Sequence, residues 1–198
     1  MREVDFPDEL AALLEKYESS GGVLDFVLLE TKDKGISDEL HRAAAIKGIA
    51  AIDRRLEQWA IERQCDEYPI EMFFRLHWAP EKLVGKRVPF VKFWGTDNVE
   101  RVQISPSAWS IPNVDGLKTA FFHPPHSLRG SEREQSELFS EIILRLFGDG
   151  LEDAEVYSWS TDWSNYFDAG HEWWGAFFWT IHPADSDRFI VIGASTTD

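Results

Sequence analysis

The chain has 198 residues, 43% of them hydrophobic and 14% aromatic, which is enough apolar material for one substantial core. Against 20 Lys and Arg stand 35 Asp and Glu, a formal charge of −15. A surface of that sign excludes nucleic acid and anionic membrane as partners, because phosphate binding requires clustered cations, and it attracts basic proteins and cationic ligands.

The single Cys65 can form no internal disulfide, and the opening from Met1 to Leu10 has no basic stretch followed by an apolar run. The longest apolar window, Trp173 to Ile181, is nine residues, half of the roughly 18 that a membrane span requires. These features read as a cytoplasmic protein of one domain, with no membrane contact.

In chain order, residues 7 to 18 form the first expected helix: Pro7 suits a first helical position, Asp8 and Glu9 complement the helix dipole, and Leu10, Leu13, Leu14 and Tyr17 share a face. Val23 to Leu29 is apolar apart from Asp25 and fits a strand better than a continued helix. Ser37 caps a long helix to about Gln64, with its apolar stripe at Ala45, Ile49, Ile52, Leu56 and Trp59. From Pro69 the period changes to two, and Ile70, Met72, Phe74, Leu76 and Trp78 predict a half-buried strand. Val88 to Trp94 and Val99 to Ile104 predict a hairpin around Gly95 to Asn98.

Ser105 to Gly130 is rich in proline and reads as a connecting region with one short strand at Lys118 to Phe122. Ser131 and Glu134 stand at capping-box spacing before an apolar stripe of Phe139, Ile143, Leu146 and Phe147, and Gly148 and Gly150 end that helix. Glu155 to Ser160 alternates as a strand, and Trp174 to His182 with Arg188 to Ile192 predicts a closing hairpin. Both faces of its first arm are bulky, which places that strand centrally in a sheet. The order of elements favours a single α+β domain, 1-198, with a largely antiparallel sheet and about three helices, over a doubly wound parallel sheet.

Candidate chemistry concentrates in the stretch from Trp159 to Trp179, which holds five of the nine tryptophans. The candidate ligand-binding residues are Trp159, Asp162, Trp163, Asn165, Asp168, His171, Glu172, Trp173 and Trp174, flat apolar surfaces mixed with short polar groups. His171-Glu172 lacks the second histidine of the zinc-protease helix, that position being Gly175. Asp162 to Glu172 lacks the alternating oxygen ligands and central glycine of a calcium loop. His123 and His126 flank two prolines, far from any cysteine, and read as structural. No nucleophile elbow or glycine-rich phosphate loop is present, Cys65 lies among acidic residues, and no metal or cofactor is expected. A carboxylate walled by indoles could serve acid–base chemistry, whereas the same Asp and Asn side chains could equally satisfy backbone amides in turns.

Trp159 to Gly175, together with the ending Ile192 to Asp198, resembles C-terminal blocks of uncharacterised bacterial proteins. That resemblance implies no activity and no site residues.

Two functional readings follow. One is a non-catalytic interaction protein that neutralises a basic partner, a toxin being one example. The other is a small-molecule site for a sugar or a cationic ligand, or a hydrolase, built on the aromatic and carboxylate residues of 159–174.

Overall fold

A computed structural model describes residues 1–32, 36–65, 67–95, 116–172 and 174–196. Among these residues six strands form one antiparallel sheet in the order β1 (Arg2–Glu3), β2 (Leu24–Glu30), β6 (Arg188–Ser195), β5 (Ala176–His182), β4 (Glu155–Trp159), β3 (Gly85–Val88). Helices cover both faces, so the fold is α+β in three layers. Three helices are long, α1 (Asp8–Ser19), α2 (Asp38–Arg63) and α5 (Glu132–Phe147). Three are short, α3 (Phe90–Trp94), α4 (Leu117–Phe122) and α6 (Asp168–His171).

The period of two along each strand sorts its side chains between the layers. On β2, Leu24, Phe26 and Leu28 enter the core under α1, α4 and α5, while Val27 and Leu29 enter the core under α2. On β5, Trp179 and Ile181 take the first side and Phe178 the second. This strand lies between β6 and β4 and is packed on both faces, as its bulky alternation predicts.

The long helices begin where local chemistry dictates. Ser37 Oγ accepts the amide of Leu40 at the start of α2. Ser131 and Glu134 make the full reciprocal capping box of α5, which ends at Gly148 with φ 55°. The face of α2 toward the sheet is built from small residues, Ala44, Ala45, Gly48 and Ala51, so the helix axis lies close to β6. A Cβ at Gly48 would stand 2.5 Å from Val191 Cγ1.

Four expectations are corrected. Ile70 to Trp78 is not a strand: it holds a single 3-10 turn at Ile70–Met72 and one bridge between Trp78 and Ser164. Its backbone groups are satisfied elsewhere, since Asn165 Nδ2 donates to Arg75 O, Asn165 Oδ1 accepts from His77 N and Ala79 N donates to Trp163 O. The strand expected at Val88 to Trp94 ends at Val88, because Pro89 has no amide to donate and leads into α3. Its expected hairpin partner, Val99 to Ile104, lies outside the described residues.

Lys118 to Phe122 is helical rather than extended. Leu117, Ala120 and Phe121 share the buried side of α4, a spacing of three and four that only a helix turns to one face. Finally, Trp59 closes the apolar stripe of α2 in sequence but not in burial, for its ring is 47% exposed and meets Phe73 edge-on.

Candidate functional site

The tertiary fold splits the 159–174 stretch into two groups. Trp159, Trp163 and Trp174 are buried, and every one of their indole N–H groups is committed internally. Trp159 Nε1 donates to Thr180 Oγ1 at 3.0 Å, Trp163 Nε1 to Ser160 O at 2.7 Å and Trp174 Nε1 to His123 O at 2.7 Å. Asn165 clamps the 75–77 segment as described above, a backbone role. Asp162, Asp168, His171 and Glu172 lie on the surface, with His171 Nε2 hydrogen-bonded to Thr161 Oγ1 at 2.7 Å. Trp173 lies outside the described residues. The indoles and the carboxylates expected to converge therefore point in different directions. His123 and His126 are exposed, and among the described residues no group of three His, Cys, Asp or Glu could hold a metal ion.

Thr180, on β5, belongs to a buried polar cluster beneath α2. His41 Nδ1 and Thr180 Oγ1 lie 2.8 Å apart, and the same hydroxyl accepts the Trp159 indole. The indole N–H donates to the hydroxyl, whose second lone pair and hydrogen leave His41 Nδ1 free to act as donor or acceptor according to its tautomer. Among the described residues His41 Nε2 has no hydrogen-bond partner, nor has His182 Nδ1. The His41 ring stacks on Tyr157 at 4.2 Å, and Tyr157 Oη donates to Asp38. Burial, reinforced by His182, depresses the His41 imidazole to about 4. This cluster is closed and reads as core.

A different place is open. Glu3 and the residues that follow β1, Val4 to Phe6, border a cleft of about 750 Å³ together with α1, the first half of β2 and the outer half of α2. Five carboxylates line it, from Glu3, Asp5, Glu15, Glu18 and Asp25, against the single guanidinium of Arg55. Arg55 is itself committed: it donates to Phe26 O at 2.6 Å and to Glu3 at 3.1 Å, and Arg54 also pairs with Glu3. The Phe6 ring lies 6.0 Å from the Arg55 guanidinium carbon, and Trp59 stands at the outer rim.

Asp25 is the residue set deepest among these charges. Tyr166 Oη donates to its Oδ2 at 2.6 Å, and among the described residues this is the only hydrogen bond of its side chain. Burial pushes the Asp25 carboxyl above the ordinary range, partly opposed by that hydrogen bond and by the charge of Arg55. Burial and the neighbouring Asp25 likewise raise the Tyr166 phenol. A perturbed carboxyl at the floor of a cleft can meet a cation or exchange a proton. Its one signal in the sequence is a charge in the middle of an apolar strand, where the default side chain is aliphatic.

A second groove of about 260 Å³, which shares Leu56 with the cleft, lies between α2 and residues 70–77, with Phe73 and Leu76 in its lining. Trp59 packs edge-on against Phe73 at 5.6 Å, and Arg63 covers its ring at 4.6 Å. Comparison with known proteins finds no matching family model, no matching curated protein and no matching solved structure, so the functional reading rests on this geometry.

Proposed function

We propose that this chain is a non-catalytic interaction protein that captures a basic polypeptide on the face formed by the outer half of α2 and residues 68–77. The observation that carries the reading is the number of large exposed apolar side chains there: Tyr68 is 58% exposed, Met72 70%, Phe74 59% and Trp59 47%, with Trp59 in ring contact with the neighbouring Phe73. Apolar side chains of this size left in water side by side mark an interaction surface, and Trp, Tyr and Met are the types that anchor one. The partner's charge follows from the carboxylate-lined cleft alongside and from the net charge of −15. Such complementarity raises the association rate and rejects acidic competitors.

The test is titration of an immobilised protein with a synthetic peptide of alternating lysine and leucine. Replacing Met72 and Phe74 together by serine leaves the net charge unchanged and removes only apolar contact. The expected outcome is an affinity loss of about tenfold or more, roughly 1.4 kcal/mol, with an unchanged melting temperature because both side chains are exposed. Equal affinity of the double variant and the wild type refutes the reading.

A further inference from the structure

We infer that the cleft between α1 and α2 is a binding site for an ammonium group carried on an apolar chain, with Asp25 as its counter-charge. The cleft's volume of about 750 Å³ lies within the range of small-ligand sites, about 300–1,000 Å³. Its walls include Phe6, Leu14, Ile52 and Leu56, which suit an aliphatic stem, and its carboxylates outnumber its one committed guanidinium. An anionic ligand would be repelled.

The geometry at Asp25 narrows the cation. Oδ2 accepts from the Tyr166 hydroxyl, and among the described residues Oδ1 of this cleft-lining carboxylate has no hydrogen-bond partner. A guanidinium prefers both carboxylate oxygens in a parallel fork, and one of the two is taken. An ammonium is a point charge that needs only one close acceptor. A divalent metal ion needs several convergent oxygen ligands, and among the described residues no such group exists. Stability alone gives little reason for the Asp25–Tyr166 pair, since a buried polar pair is commonly matched or bettered by apolar residues of the same volume. A site for a cation gives it one.

The protonation of Asp25 becomes the reporter. The groups around it are Glu15 and Glu18 on α1, Glu3 and Asp5 on the entering chain, Arg55 on α2 and Tyr166. Placing an ammonium against Oδ1 favours the ionised carboxyl, so uptake of the cation releases a proton wherever Asp25 is still protonated. Apparent affinity must then fall as pH is lowered, because proton and ammonium compete for the same oxygen.

The probe is n-hexylamine, titrated calorimetrically into the full chain, with n-hexanol as its neutral counterpart. The expected results are binding of the amine over the alcohol, weakening at acid pH, and an affinity loss of about tenfold or more in Asp25→Asn. The Ala11→Leu variant narrows the cleft from an exposed position of α1 without touching Asp25, and the same loss is expected there, so the test survives any instability of the first variant. No binding, equal binding of n-hexanol, or binding of n-hexylamine that neither variant weakens overturns the inference.

The site deepens the interaction reading in one respect, that its ammonium can come from a lysine of the basic partner. Displacement of the lysine–leucine peptide by n-hexylamine supports that source, and binding without displacement supports a free amine. If the amine binds and the peptide does not, the interaction reading falls and the site stands; if the peptide binds and the amine does not, the reverse holds.

Discussion

Acidification from about pH 7 to about pH 4 should weaken this fold through its buried imidazoles, His41 foremost. His41 is fully buried between α2 and the sheet, and its pKa falls from 6.5 to about 4. In the unfolded chain the same ring takes up its proton near 6.5. Between these values the unfolded state binds a proton that the folded state refuses, so stability rises with pH across this window. The contribution is complete above 6.5 and is lost as pH falls toward 4. A shift of about 2.5 units at ~1.4 kcal/mol per unit gives about 3 kcal/mol, a large share of a typical total of about 5–15 kcal/mol.

His182 is depressed by burial and acts with the same sign. Asp25 acts against both: its raised carboxyl keeps a proton in the folded state that the unfolded state has released, so its contribution falls with rising pH. The measurement that isolates His41 is therefore a comparison of urea unfolding free energies in wild type and His41→Phe at steps of pH. Phenylalanine keeps the stacking on Tyr157 and cannot titrate. The wild type should lose about 3 kcal/mol more than the variant between the two ends of the window. Curves that run parallel to within about 0.5 kcal/mol would show that the ring is not held neutral, and the account of the buried cluster would fail.

Two further outcomes follow from the packing. Asn165→Ala removes both side-chain bonds that hold Arg75 O and His77 N. A stability loss of about 1–3 kcal/mol is expected, with hydrogen exchange at His77 accelerated and exchange in β5 and β6 scaled only by the global change. Gly48→Ala drives a methyl into Val191 and should cost about 1–3 kcal/mol despite the better helix propensity of alanine. Val191→Ala in the same chain should recover part of that loss, and an additive double variant would contradict the close approach of α2 to β6.

Several elements were legible because their signals are local. The Ser131 and Glu134 capping box, Ser37 before the long helix and the hairpin around Pro183 to Asp187 depend on residues within a few positions of one another. The alternation of 174–182 announced a strand covered on both faces, and β5 is one. The alternation of 70–78, broken only at Phe73, failed. A strand needs a neighbouring edge to pair with, and these backbone groups found Asn165 and Trp163 instead.

Residue types alone thus determined that the chain would form an acidic α+β structure with two well-capped long helices and an antiparallel sheet. They also pointed to 159–174 as a place dense in aromatic and carboxylate groups. Which of those groups meet was decided only in three dimensions. Burial drew Trp159, Trp163 and Trp174 inward, where each indole N–H found an internal acceptor, and left Asp162, Asp168 and Glu172 in water. The fold meanwhile brought Asp25 within reach of Tyr166, 141 positions away, at the floor of a cleft framed by α1 and α2. Density along the chain carries no information about direction in space, and a site is made by direction.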